Sequence, residues 1–127
     1  MSKWLVCGGR LYRDASQLDR VLSAAVERLD LDAIVQGGQV TIDPETNEKY
    51  GADHLAKQWA LDHKLQCETF YADWNGLGKA AGPLRNQKML DEAKPVGCIA
   101  FPGGRGTYDM VRRVRAAGLP VHEISPR

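Results

Sequence analysis

Short apolar runs alternate with longer amphipathic segments along the whole chain. The runs are typical of buried β-strands, because each is short, apolar and bounded by glycine, proline or polar residues. The strands predicted in this way cover residues 3–7, 33–36, 66–70, 96–101 and 121–124. The last run alternates apolar and polar residues, so we expect it at an edge of the sheet.

The segments between the apolar runs carry helix patterns. In the first of them, Asp14 and Gln17 have the spacing of a capping box, and the apolar residues that follow form one helical stripe. The predicted helices begin after Asp14, at residues 51–53, near residue 84 (ending near 93) and at Thr107, the expected N-cap of the last one. Residues 39–50 predict a surface loop or small flap, and residues 71–83 predict a long loop.

Regular alternation of strand and helix defines the fold class. It predicts an α/β protein with a Rossmann-like, open and mostly parallel sheet of about five strands and helices on both faces. The 127 residues form one domain, residues 1–127. Right-handed crossovers place all strand-to-helix loops at one edge, where ligands of open α/β sheets bind.

Composition excludes several classes of protein. The chain is 43% hydrophobic and 26% charged, which is an ordinary globular balance. No apolar run reaches the roughly 18 residues of a membrane helix, and Gly8-Gly9 interrupts the N-terminus too early for a signal peptide. We therefore expect a cytoplasmic protein with no membrane partner. The three cysteines have neither C-x-x-C spacing nor a nearby histidine, so we expect buried thiols and no metal site.

Charge is distributed unevenly, although the net charge is only +1. Residues 1–77 carry eight Lys and Arg against twelve Asp and Glu, whereas residues 78–127 carry nine against four. A local anion site in the second half explains this asymmetry better than a basic coat for duplex DNA.

Glycine pairs end three of the predicted strands, at residues 8–9, 37–38 and 103–104. Three such endings at one edge indicate a site where backbone approaches a ligand closely. The sharpest segment is residues 101–107, in which an apolar strand feeds a glycine-rich turn and a helix N-terminus that favours phosphate. A tight turn without a ligand is the alternative. Arg10, Lys79, Arg85 and Arg105 lie in or beside these loops and carry the groups that hold phosphate or carboxylate.

Three further residues have both a functional and a structural interpretation. Asp53 fits a ribose hydroxyl or the N-cap of its helix, and Trp74 fits a stacked base or plain packing. Arg85 is expected in the first turn of its helix, where the dipole disfavours a cation, so it is either a ligand-binding group or a solvated side chain.

These motifs together resemble the SLOG superfamily, and within it the branch related to YspA and cpYpsA. The matching residues are Gly8-Gly9-Arg10 with Tyr12, Gly37-Gly38, Gly51-Ala52-Asp53 with Leu55-Ala56 and Trp59-Ala60, Ala72-Asp73-Trp74, Gly78-Lys79 with Ala81-Gly82-Pro83, Arg85-Asn86 with Met89, and Phe101-Pro102-Gly103-Gly104-Arg105-Gly106-Thr107. Residues 39–50 depart from the branch and resemble a loop insertion.

The resemblance implies a pocket for a nucleotide or an ADP-ribose-like molecule and a homo-oligomer, without a resident cofactor. The phosphate would lie on residues 103–107. The residue patterns and the resemblance together give these candidate ligand-binding residues: Gly8, Gly9, Arg10, Gly37, Gly38, Asp53, Trp74, Lys79, Arg85, Asn86, Pro102, Gly103, Gly104, Arg105, Gly106 and Thr107.

A more distant resemblance is to the Lonely Guy phosphoribohydrolases, which cleave the base from nucleoside 5′-monophosphates. Their P-G-G-x-G-T-x-x-E motif ends here in Met110, and a thioether cannot act as a general base. A sensing or sequestering module is therefore the first interpretation. An N-glycosidic hydrolase using Arg85 with Asp73 or Asp109 is the second, and a nucleic-acid-binding protein is the third.

Overall fold

The computed structural model describes residues 2–126 and contains a five-stranded sheet in which all strand pairs are parallel. Its strands are β1 (Ser2–Cys7), β2 (Leu31–Gln36), β5 (Gln66–Thr69), β6 (Gly97–Ala100) and β7 (Val121–Glu123). They follow the order β5-β2-β1-β6-β7, so the strand predicted at an edge does lie there. The predicted Rossmann-like α/β fold is confirmed.

Helices cover both faces of this sheet, as predicted. They are α1 (Ala15–Arg28), α2 (Ala52–Asp62), α3 (Trp74–Leu77), α4 (Ala81–Lys88) and α5 (Arg105–Ala116). Alternate residues of β1 point to opposite faces. Trp4 and Val6 join the core with α1 and α2, whereas Leu5 and Cys7 join the core with α5 and the segment Met89–Ala93 that follows α4. Burial on both sides explains why the central strands read as continuous apolar runs.

The start of α1 confirms one half of the capping box. The Asp14 carboxylate accepts a hydrogen bond of 3.0 Å from the Gln17 amide. The Gln17 side chain does not return to the cap; it accepts from the Tyr12 hydroxyl at 2.6 Å and donates to the Ser125 carbonyl at 2.8 Å. The second half of the box is thereby replaced by a link to the C-terminal segment.

Residues 39–50 fold as the small flap that the sequence predicts. The flap contains a two-stranded antiparallel hairpin, β3 (Thr41–Ile42) with β4 (Lys49–Tyr50). Arg13 fixes it from the β1–α1 loop, because its guanidinium lies 3.7 Å from the centre of the Tyr50 ring and pairs with Asp43 at 3.3 Å. The Thr41 hydroxyl also donates to the Arg10 carbonyl at 2.7 Å.

The predicted long loop at 71–83 is wrong beyond residue 73. The Asp73 carboxylate accepts from the Gly76 amide at 2.9 Å and caps α3, and a 3₁₀ turn, Gly78–Ala80, leads into α4. The sequence predicts that the helix begins after Pro83. The helix instead includes Pro83, because a proline in the first turn removes no intrahelical hydrogen bond. Because α4 starts at Ala81, Arg85 lies in its second turn and not in the first.

The end of this helix and the start of the next also differ from expectation. After α4 the chain continues as a π-helical segment, Met89–Ala93, and stops at Lys94 in the left-handed region. Helix α5 begins at Arg105 with Gly104 as its N-cap, so the prediction that Thr107 caps it is wrong. Glycine at the cap leaves the first turn without a side-chain acceptor.

Two simpler expectations concern membranes and thiols. Across residues 2–126, none of the helices is both long and apolar enough to cross a membrane. Cys7 and Cys98 are buried free thiols, as predicted, whereas Cys67 is only half-buried.

Candidate functional site

A cavity of about 1010 Å³ opens at the carboxyl edge of the sheet. From β1 the chain crosses to β2 on one side, and β6 pairs with β1 on the other, so the topology reverses between β1 and β6. Crevices at such switch points are where open α/β sheets bind ligands. The Gly9 amide donates to the Pro102 carbonyl at 2.8 Å and ties the two loops together there.

The structure brings nearly all the candidate ligand-binding residues to this cavity. Gly38 is the exception and lines a neighbouring depression. Of the three candidate catalytic residues, Arg85 and Asp109 line the cavity, but Asp73 is occupied in capping α3 and does not. Sequence reasoning missed Leu11 and Gln39 on the walls, since neither belongs to a glycine turn.

The first turn of α5 presents unpaired backbone donors to the cavity. Tyr108 is the first residue whose amide donates back along the helix, to the Gly104 carbonyl at 3.0 Å. Within residues 2–126, the amides of Arg105, Gly106 and Thr107 make no hydrogen bond, and no side chain caps the helix. Such a turn attracts anions, because free N–H groups and the positive end of the helix dipole coincide.

The glycines of this turn differ in the physical reason for the absence of a side chain. A Cβ at Gly103 would overlap Thr107 and lie 2.6 Å from the Gly9 amide nitrogen, so packing of the two loops requires glycine there. Gly104 and Gly106 differ, since a Cβ at either would have no heavy atom within 4 Å. Neither has a positive φ. Gly104 is the N-cap of α5, where glycine is preferred over alanine, whereas nothing in the backbone or the packing favours glycine at position 106.

Three exposed cations surround the cavity without a counter-ion. Arg10, Lys79 and Arg105 line it, and none forms an ion pair with any residue between 2 and 126. A cavity with several uncompensated positive charges favours an anionic ligand.

Arg85 is held more firmly than these three. Its Nη1 donates to the Gly37 carbonyl at the end of β2, and its Nε donates to Asn86 Oδ1 at 3.0 Å. Gly37 admits the guanidinium, which lies where a Cβ would be. Burial lowers the pKa of Arg85, and the nearby Asp53 opposes that effect. Arg85 is thus a fixed cation in the cavity wall, and its role in ligand binding stays a prediction.

Asp53 is a buried carboxyl group in the first turn of α2. The N-cap of that helix is Gly51, with φ of 109°, so the interpretation of Asp53 as the cap is wrong. Its Oδ2 accepts from the Gln39 amide at 3.2 Å. Burial raises the pKa of Asp53 to about 6, against the lowering effects of the Gln39 amide, the Arg85 charge and the Gly37 amide. A buried carboxyl with a raised pKa in a cleft is typical of functional sites.

Asp109 is fully engaged by its neighbours. Its carboxylate accepts from Arg113 Nε at 2.8 Å, from Arg112 Nη2 at 2.9 Å and from Asn86 Nδ2 at 3.0 Å. Burial opposes its ionisation, but these hydrogen bonds outweigh it and hold the pKa of Asp109 below its usual range. This arrangement links α4 to α5 and makes Asp109 a poor general base at neutral pH.

The rest of the cavity is mainly apolar. Met110 and Met89 are buried at its base, so a thioether occupies the place of the Lonely Guy glutamate. Trp74 is 49% exposed and lies against Gly82, where a Cβ would be 3.0 Å from the indole ring. The indole ring therefore packs against Gly82 and also exposes part of its surface to the cavity.

The basic residues at the other end of α5 are paired. Arg112 and Arg113 contact Asp109, and Arg115 contacts Glu123 at 2.8 Å. This helix consequently presents no free basic stripe of the kind that tracks a nucleic-acid backbone.

The fold and this cavity define a Rossmann-like domain with an anion-receptive site, and sequence comparison supplies the family. The chain belongs to the YspA, cpYpsA-related SLOG family, whose model matches residues 3–76. SLOG membership implies a nucleotide-related binding domain. The matched segment includes the first two glycine turns and Asp53, whereas Arg85 and the residues 101–107 lie beyond it.

One relative resembles nearly the whole chain. The Gene 61 protein of Mycobacterium phage D29 is 32% identical over 128 aligned residues, which cover 95% of this chain and 94% of that protein. No solved structure matches the sequence.

Proposed function

We propose that this protein binds a phosphorylated nucleoside or an ADP-ribose-like nucleotide in the cavity at the carboxyl edge of the sheet, as a sensing or sequestering module. The phosphate lies on the amides of Arg105, Gly106 and Thr107. The Asp53 carboxylate accepts a hydrogen bond from a ribose hydroxyl, and the indole of Trp74 stacks on the base.

The observation that carries this proposal is Gly106. Eleven of the thirteen glycines have a positive φ or a neighbour that a Cβ would contact, and Gly104 is the N-cap of α5, where glycine is preferred over alanine. Gly106 has none of these reasons, and a glycine inside a helix is less stable than alanine by up to about 1 kcal/mol. Close approach of a ligand to the backbone explains why position 106 nevertheless lacks a side chain.

Binding by Gly104→Ala and Gly106→Ala tests the proposal. Gly106→Ala is expected to fold at least as stably as the parent chain, because the new methyl group meets nothing and alanine favours the helix. Gly104→Ala is expected to lose some stability, because alanine is a poorer N-cap than glycine. Both are expected to lose affinity by at least about tenfold, since the methyl group covers the amides that bind phosphate and each charge-assisted hydrogen bond is worth about 1.5–3 kcal/mol.

The assay begins with ultrafiltration of the protein against nucleoside monophosphates, NAD and ADP-ribose, with mass spectrometry of retained and filtered fractions. Calorimetry then compares the variants on the retained compound. Arg105→Ala is expected to weaken binding, and Arg20→Ala, an exposed arginine on α1 away from the cavity, is the matched control. Retention of no compound, or full affinity in both glycine variants, would refute the phosphate site.

An N-glycosidic hydrolase is the second candidate, and Asp53 is the observation that favours it. With a pKa of about 6 it is the carboxyl group in the cavity suited to take a proton from a water molecule near neutral pH. The water oxygen would then attack the ribose C1′ while the released base takes a proton from solvent. Release of free base that vanishes in Asp53→Asn but persists in Asp109→Asn would establish this activity; intact nucleotide after prolonged incubation would exclude it.

The homo-oligomer that the resemblance implies stays a prediction. Light scattering of the purified chain measures it directly, and a mass equal to the 14.0 kDa of one chain would contradict it.

A further inference from the structure

A second, smaller depression adjoins the main cavity. It has a volume of about 190 Å³ and lies between the flap, the start of α2 and the ends of β2 and β5; we call it the flap pocket. Asp53 and Gln39 belong to the walls of both cavities. The two cavities therefore share a wall formed by these residues, and a ligand that occupies both must extend across it.

The flap pocket is positively charged. Lys49 from β4 and Lys57 from α2 line it together with His54, and among the described residues neither lysine forms an ion pair. Two of the three acidic residues of the flap, Asp43 and Glu48, pair with Arg13 at 3.3 and 3.6 Å and not with these lysines. Asp53 supplies the carboxyl group of the pocket wall, so the two lysines are free to meet an anion.

An exposed aromatic ring completes this pocket. Tyr71 is 70% exposed, and its ring covers Gly38, where a Cβ would lie 2.6 Å from Cδ1. The absence of a side chain at Gly38 thus allows the Tyr71 ring to lie against the backbone that follows β2. Exposed rings beside lysines are the usual combination for stacking a base next to its phosphate.

The two cationic regions are too far apart for one phosphate group. The α5 turn follows β6, whereas the flap pocket lies beyond β2 and β5, two to three strands away. Strands are about 4.8 Å apart, so the regions are separated by roughly 10–14 Å. Neighbouring phosphates of a nucleotide chain are closer together than this, so a ligand that satisfies both regions must carry phosphates two nucleotide units apart.

We propose that the ligand is a dinucleotide with a phosphate at each end. One nucleotide unit lies in the main cavity, and the second lies in the flap pocket with its terminal phosphate on Lys49 and Lys57 and its base on Tyr71. This inference rests on the proposed function and narrows the class of ligand. The flap, which is the segment that departs from the family pattern, thereby determines specificity.

Calorimetry with one-unit and two-unit probes tests this inference. The one-unit probe is adenosine 5′-monophosphate, and the two-unit probe is the linear dinucleotide pApAp, which carries a phosphate at each end. We expect the parent chain to bind pApAp more than about tenfold tighter than adenosine 5′-monophosphate, because the second unit adds contacts worth more than about 1.4 kcal/mol. The double variant Lys49→Gln/Lys57→Gln is expected to reduce this ratio at least about fivefold.

Lys88→Gln, an exposed lysine on α4 that lines neither cavity, is the matched control and is expected to keep the ratio. Tyr71→Ala provides an independent check, since a ring that is mostly in water adds little to stability. Equal affinity for one-unit and two-unit probes, or a ratio that the double variant leaves unchanged, overturns the inference but not the proposed function. If neither probe binds, this inference is overturned, whereas the proposed function falls only if no compound of the wider panel is retained.

Discussion

Replacement of Asp53 by asparagine is expected to stabilise the unliganded protein at neutral pH. The carboxyl group is 8% exposed, and its burial raises the pKa to about 6. Asparagine keeps an oxygen that accepts the hydrogen bond from the Gln39 amide, and it has no charge to desolvate. The substitution therefore removes a cost while retaining the local geometry.

The expected magnitude follows from the pKa values of the two states. In the unfolded chain the pKa is near 3.8, about 2 pKa units below the folded value, which corresponds to about 3 kcal/mol at 1.36 kcal/mol per unit. Because the folded value is the higher one, the unfolded chain loses its proton first as pH rises. The free energy of unfolding therefore falls between about pH 4 and pH 6 and is constant above that range.

Urea unfolding of the parent chain and Asp53→Asn at half-unit steps from pH 4 to pH 8 measures this contribution. The difference in free energy between the two proteins is expected to grow to about 3 kcal/mol by pH 6.5 and then stay level. Groups that titrate in both proteins cancel in the difference. Asp62→Asn, an exposed carboxylate at the other end of α2, is the control. A difference that is flat from pH 4 to pH 7 would refute the burial argument.

The remaining predictions concern stability and are checked by thermal and urea unfolding. Asp109→Asn is expected to cost about 1–3 kcal/mol at pH 7, because it breaks the ion pair with Arg113; the cost disappears as pH falls below about 4, since the folded pKa is the lower one. Gly97→Ala is expected to cost about 1–3 kcal/mol, because its methyl group overlaps the Trp4 ring. Leu22→Ala, at a site with 0% exposure, is expected to cost about 2–5 kcal/mol. An effect below about 0.5 kcal/mol in any of these variants contradicts the packing described for it.

Features that depend on short stretches of chain were predictable from the sequence. The parallel sheet follows from apolar runs alternating with helix stripes, and the position of the cavity follows from three glycine endings that a right-handed topology must gather at one edge. The edge position of β7 followed from its alternation alone. Each of these inferences combines patterns that are read directly from short segments of the sequence.

Features that depend on contacts between distant segments were not predictable. The burial of Asp53 requires the flap, whose position is set by Arg13 on Tyr50 and by Thr41 on the β1–α1 loop. The early start of α4 depends on Pro83, because a proline is tolerated in the first turn of a helix but disrupts hydrogen bonds further along it. The engagement of Asp109 by α4 likewise could not be read from its place beside Met110 in the sequence.

Two independent costs to stability occur at the same cavity. The ionised Asp53 costs about 3 kcal/mol at neutral pH, and glycine at position 106 adds further instability in the first turn of α5. No contact within residues 2–126 requires that glycine. A sequence shaped for folding alone would carry asparagine at position 53 and alanine at position 106, and the chain would be more stable. Both departures are explained if the carboxylate and the bare amides bind one ligand, whose binding free energy stabilises the folded state in return.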